Sequence, residues 1–169
     1  RGKRVAVGPA NGGTLAFLEV LLREHDMTID DISSNYLSYT DGFSQLADGN
    51  VDASFGLIGV PGAAISQLRA SEEIKFLDID ESIMSTILEK YPYYRSFSIS
   101  RDTYNTAENA VALGVSNLLI VREDLPDSIA YSIVESVYGH MQEFASSNAN
   151  ARQIDPANHS LSPIPTHPG

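Results

Sequence analysis

The chain has 169 residues, 43% of them hydrophobic, enough to bury a core and to build one domain or two small lobes. Its formal net charge of −11 argues against a nucleic-acid partner, whose phosphates would be repelled, and against anionic membrane surfaces. It contains no cysteine, which removes disulfide and thiolate chemistry and fits an oxidising compartment, and no apolar run approaches the ~18 residues of a membrane-spanning helix.

Arg4 to Gly8 reads as the first strand, a near-continuous apolar run suited to a buried parallel sheet. The run stops at Gly8-Pro9, the turn Asn11-Gly12-Gly13-Thr14 follows, and an apolar helix runs from Leu15 to about Glu24 with Thr14 as its N-cap. A strand, a glycine turn and a helix start together form a seat for an anion. The first helical turn has free N–H groups and carries the positive end of the macrodipole. The same residues also suit an ordinary strand-to-helix connection whose glycines serve packing, and both readings stay open. The turn lacks the Lys of a phosphate-binding Walker loop and the G-x-G-x-x-G spacing of a dinucleotide fold, so no cofactor is expected.

Thr28 caps a single helical turn at Ile29–Ile32, and Asn35 to Tyr39 reads as a short strand. Asp41 is the expected cap of the next helix, which Gly49 closes at the C′ position. Val51 to Gly56 is another buried strand. It runs through Leu57-Ile58-Gly59-Val60 to Pro61, placed as the first residue of a helix ending near Leu68. Two strand–glycine–helix starts aimed alike define a crevice of the kind where open α/β sheets bind ligands.

Ile74 to Ile79 is the next expected strand, and Ile83, Met84, Ile87, Leu88 and Tyr91 form one helical stripe. Tyr91-Pro92-Tyr93-Tyr94 ends that helix, its tyrosines either covering a hydrophobic edge or offering a hydroxyl. Phe97–Ile99, Val111–Val115 and Leu118–Arg122 read as strand segments. Glu123 to Asp127 opens the longest helix, with Pro126 in its first turn, and Ala130, Ile133, Val134, Val137, Met141 and Phe144 continue it. From Ala151 on, Asn, Ser, His and Pro dominate, and Ser160 to Gly169 reads as an extended tail. The expectation is an α/β fold, a mostly parallel sheet of about five strands sandwiched by helices. Val5–Gly8, Asn35–Ser38, Val51–Phe55 and Leu118–Arg122 are expected in one sheet.

Catalytic patterns are missing from the sequence. Asp78 and Asp80 form a D-x-D, but Asp80 reads as the cap of the helix at Glu81. His25, His140, His159 and His167 show no metal-ligand spacing, and there is no G-x-S-x-G elbow. Neither an enzyme nor a metal site is expected.

Six stretches taken in order resemble one family. They are Gly2-Lys3-Arg4-Val5-Ala6-Val7-Gly8-Pro9 with Gly13-Thr14, Leu46 to Phe55, Gly59-Val60-Pro61, Tyr91-Pro92-Tyr93-Tyr94, Leu119 to Pro126, and Ile164 to Gly169. Together the chain resembles the TAXI family of TRAP-transporter solute receptors, a branch of the type II periplasmic binding proteins. The resemblance implies a periplasmic or extracytoplasmic receptor with two lobes that closes on a small organic anion, a dicarboxylate or acidic amino acid such as glutamate or 2-oxoglutarate. The ligand would pass to the membrane permease subunits of a TRAP transporter, the receptor itself spanning no membrane. Family members carry a signal peptide and most of a first lobe ahead of the segment matched from Arg1. Residues 1–125 are accordingly expected to be the second, ligand-binding lobe, and 126–169 a long helix and extended tail returning to the first. The contacts expected are Asn11, Gly12, Gly13 and Thr14 at the first helix start and Gly59 and Val60 at the second, with Phe55 walling the apolar part of the ligand. The family loop reads more nearly G-P-x-G-S-G-T, so here a serine hydroxyl is lost and an Asn amide arrives one place upstream. The alternative is a ligand-sensing domain of a transcription regulator on the same fold.

Overall fold

The computed structural model describes residues 1–157, 162 and 164–169, and two compact units, Arg1–Gly114 and Val115–Gly169. The first unit is α/β. Strand β1 (Arg4–Ala6) lies between β2 (Ser33–Asn35) and β3 (Ala53–Ser54), both parallel to it. Ala6 faces Asn35 on one side and Ser54 on the other. The apolar run continues past the ladder into Val7, which is fully buried. The strands expected at Val5 and Val51 join one parallel sheet with shorter ladders, whereas the strand expected at 35–38 lies earlier, at Ser33–Asn35, with only Asn35 in common.

Helix α1 (Gly13–Glu24) follows β1, α2 (Tyr39–Ala47) follows β2, and α3 (Ala63–Ser71) follows β3. Gly42 of α2 lets that helix approach the sheet closely. A Cβ there would sit 3.0 Å from the Ala6 methyl and 3.1 Å from Ser54 Oγ. Helix α4 (Glu81–Lys90), strand β4 (Tyr94–Ile99), the single turn α5 (Arg101–Tyr104) and strand β5 (Ala110–Val115) complete the unit, β5 ending one residue beyond it.

Two apolar clusters hold this unit. One gathers Phe43, Ile65, Leu68, Ile99, Tyr104 and Ala110. The other gathers Phe17, Met84, Ile87, Tyr94 and Leu113, with the Phe17 ring edge-on to Tyr94 at 4.8 Å and 89°. Ile87 is fully buried, which stabilises by about 1.5–3 kcal/mol for a side chain of that size.

Several expectations are corrected. The sheet has three strands, not about five, and β4 and β5 form a separate two-stranded sheet. Ile74–Ile79 joins no ladder, although Ile74 and Phe76 still pack against the first cluster. Leu118–Arg122 is not a strand, and Leu119 and Ile120 are each 74% exposed. β-branched content marked both segments, but a strand also needs a free partner edge.

The second unit contains α6 (Asp127–Gly139), α7 (Met141–Ser147) and a 3₁₀ turn at Ala149–Gln153. The sequence pattern ran one helix through Phe144, whereas the chain breaks at His140, whose backbone leaves helical geometry. The His167 ring nitrogen Nε2 lies 3.0 Å from the Leu125 carbonyl oxygen. His159, Ser160 and part of the expected tail lie outside the described residues. Among the described residues, no helix is long and apolar enough to cross a membrane.

Candidate functional site

Parallel pairing brings the carboxyl ends of β1, β2 and β3 to one edge, and at that edge the chain enters α1, α2 and α3 in turn. The first-turn N–H groups of three helices therefore serve three adjacent loops, 7–12, 36–38 and 55–62, with the β1 loop in the middle. The sequence pattern puts two helix starts at such an edge, and the parallel sheet adds a third, that of α2.

The central loop is shaped by Gly8, whose φ of +82° lies in the left-handed region. A Cβ on Gly8 would meet Thr14 Cγ2 at 2.9 Å. Asn11 is exposed, with φ +59°. The N-cap of α1 is Gly12, extended at φ −98° and ψ 166°, so the expected cap Thr14 is corrected to the second residue of the helix. Thr14 is only 4% exposed, and its Oγ1 is hydrogen-bonded to Tyr39 Oη. Gly13 is exposed, and a Cβ there meets nothing within 4 Å. Asn11 to Thr14 thus stand together at one turn and helix start, with the Thr14 hydroxyl engaged by Tyr39.

The β3 loop carries the other expected contacts. The Phe55 N–H donates to the Ala6 carbonyl at 2.8 Å, and the Phe55 ring leans on Phe17 at 5.7 Å. Gly59 is exposed, and Val60 is half-buried against the Phe43 cluster. The Val60–Pro61 peptide is cis. Pro61 does not open α3, as the sequence suggested; Gly62 is its N-cap and the helix starts at Ala63. The Gly62 N–H donates to Tyr104 Oη at 2.6 Å, and that tyrosine is 3% exposed.

Residues that sequence reasoning missed hold these loops together. The sequence pattern puts Tyr39 at the end of a strand and Asp41 at the cap. Instead Ser38 caps α2: its Oγ accepts from the Asp41 N–H at 3.1 Å and donates to Asp41 Oδ2 at 2.7 Å. The signal was present as Ser38-x-x-Asp41, a capping pattern that puts Tyr39 at the first helical position.

The electrostatics are unusual for an anion seat. Residues 7–14, 36–41 and 55–62 contain no Lys, Arg or His, and Asp41 is their one charged residue. Any attraction at this edge comes from N–H groups and helix dipoles. The strongest charge pairing near the sheet lies at the other ends of the strands. There Arg4 Nη2 reaches Asp52 Oδ1 at 2.7 Å, and the Arg4 backbone N–H reaches Oδ2 at 2.8 Å. The Arg4 guanidinium, with that N–H, holds the Asp52 carboxyl at about 2, from an ordinary 3.8. Among the described residues, no three His, Asp or Glu side chains are grouped to hold a metal ion.

A family model described as the NMT1-like family matches residues 1–169.

Proposed function

The chain belongs to the NMT1-like family, a periplasmic binding protein-like family related to solute receptors, and from that premise we propose that it is an extracytoplasmic receptor for a small organic anion. The ligand class is a dicarboxylate such as 2-oxoglutarate or an acidic amino acid such as glutamate. The protein binds it without turnover and delivers it to the permease subunits of a TRAP-type transporter, as the TAXI-like stretches suggest. In this reading residues 1–125 form one ligand-binding lobe, and 126–169 return to the other.

The observation that supports the reading best is the convergence of three helix starts on one sheet edge. A carboxylate seated on the N–H groups of Gly12, Gly13 and Thr14 gains charge-assisted hydrogen bonds of roughly 1.5–3 kcal/mol each. The helix dipole adds about 0.3–2 kcal/mol. Gly59 and Val60 close the neighbouring loop, and Phe55 offers an apolar wall.

Gly13→Asp tests the seat. The added side chain has room, since no atom lies within 4 Å of a Cβ there, and an acid at a helix start is favourable to folding. Its carboxylate takes the same donors and repels the ligand. Calorimetric titration with succinate, 2-oxoglutarate and glutamate should show affinity falling at least about tenfold, while circular dichroism stays unchanged. A folded Gly13→Asp protein that binds as tightly as the parent places the anion elsewhere.

A further inference from the structure

Tyr39 ties the three loops of this edge to one another. Its hydroxyl sits on the first residue of α2, 3.1 Å from the carbonyl oxygen of Leu57 in the β3 loop, and against Thr14 Oγ1 in α1. The carbonyl can only accept, so the Tyr39 proton points to Leu57. With that proton engaged, Tyr39 Oη is the acceptor for Thr14, and the Thr14 hydroxyl proton is spent as well. The bonds therefore run in one direction, from α1 through α2 into the β3 loop. The far end of the same loop is pinned separately, where Gly62 N–H meets Tyr104 Oη.

We propose that Tyr39 is the positioning residue of the site, setting the distance between the α1 seat and the wall formed by residues 55–62. The inference rests on the ligand-receptor reading given above. It has two chemical consequences. First, Thr14 cannot donate its hydroxyl to a bound carboxylate; it contributes its backbone N–H, and its oxygen can only accept. Second, the β3 loop and the α1 start move as one body while the Tyr39 hydroxyl is present, and separately when it is absent. Tyr39→Phe keeps the ring, which packs beside the Phe43 cluster, and removes only the hydroxyl.

Amide hydrogen exchange read by mass spectrometry on the full chain tests this, comparing the parent with Tyr39→Phe, Thr14→Val and the double variant. Tyr138→Phe, an exposed tyrosine of α6, is the control. Exchange in residues 55–62 should quicken about fivefold to tenfold in Tyr39→Phe, the size expected from losing one partly buried hydrogen bond. The double variant should show no more than Tyr39→Phe alone, because Thr14 reaches the β3 loop only through the Tyr39 hydroxyl. Unchanged exchange in residues 55–62, or additive effects of the two changes, overturns the proposal. Titration of parent and Tyr39→Phe with 2-oxoglutarate and glutamate separates the two claims. Weaker binding by Tyr39→Phe at equal thermal stability supports positioning, and equal binding by both overturns it. If neither ligand binds the parent, the receptor reading fails for these anions, and the exchange data still decide whether Tyr39 couples the loops.

Discussion

At the scale of single residues, the sheet edge depends on glycines that are not equivalent. Gly8 has a left-handed backbone, and its missing side chain makes room for the Thr14 methyl. Gly8→Ala should cost at least about 1–2 kcal/mol, read as a shifted urea midpoint with unchanged slope. Gly13 has neither constraint, so Gly13→Ala should stay within about 0.5 kcal/mol of the parent. The sequence marked both positions as turn glycines; only backbone geometry tells which one is indispensable. Asp52 carries a pH signature. Its carboxyl titrates at about 2 when folded, against an ordinary 3.8, because Arg4 bonds to the ionised form. A depressed folded value stabilises the protein above the ordinary value, and the contribution disappears as pH falls from 3.8 towards 2. The stability gap between the parent and Asp52→Asn should therefore be flat near neutrality and close across that acidic window. A gap that persists at pH 2 would mean that the Arg4 pairing is not its source.

At the scale of elements, what was legible followed local signals. The strand at Val5, the C′ glycine at Gly49 with φ +71°, the capped turn after Thr28 and the helix after Asp80 all appear where the pattern put them. Illegible features depended on neighbours. Val51–Phe55 and Leu118–Arg122 both read as strands in the sequence, yet only the first pairs with β1, through Ala53 and Ser54. The helix starts slipped for a related reason: an extended residue with a good cap, Ser38 or Gly12, outcompetes a polar residue further on. The sequence marks the candidate edge through its glycines and leaves out the contacts that join its loops. The Tyr39 hydroxyl bonds to residues 18 and 25 positions away, which no local pattern records. Ser38→Ala removes a cap that both accepts from Asp41 N–H and donates to its carboxylate. It should cost about 1 kcal/mol in thermal or urea unfolding. A loss below a few tenths would mean that α2 is held by packing alone.

At the scale of the whole molecule, both apolar clusters draw all their members from residues before Gly114. A fragment of residues 1–114 should therefore fold alone with a cooperative melt and keep the three loops. The second unit has Ala130 as its one buried hydrophobic residue among those described. Residues 115–169 alone should show little helical circular dichroism, and a cooperative melt from that piece would refute this division of stability. The absence of Lys, Arg and His from the three loops reaches furthest when considered as kinetics. A field of −11 charges acts at long range and slows an approaching anion, whereas N–H dipoles act only at contact. Salt shortens the reach of that field to about 10 Å at 0.1 M. Association of 2-oxoglutarate should therefore quicken as ionic strength rises while dissociation barely changes, the reverse of a pocket fed by a lysine funnel. Stopped-flow measurement across a salt series reads this directly, and an association rate that falls with salt would show that a cation from elsewhere guides the ligand in.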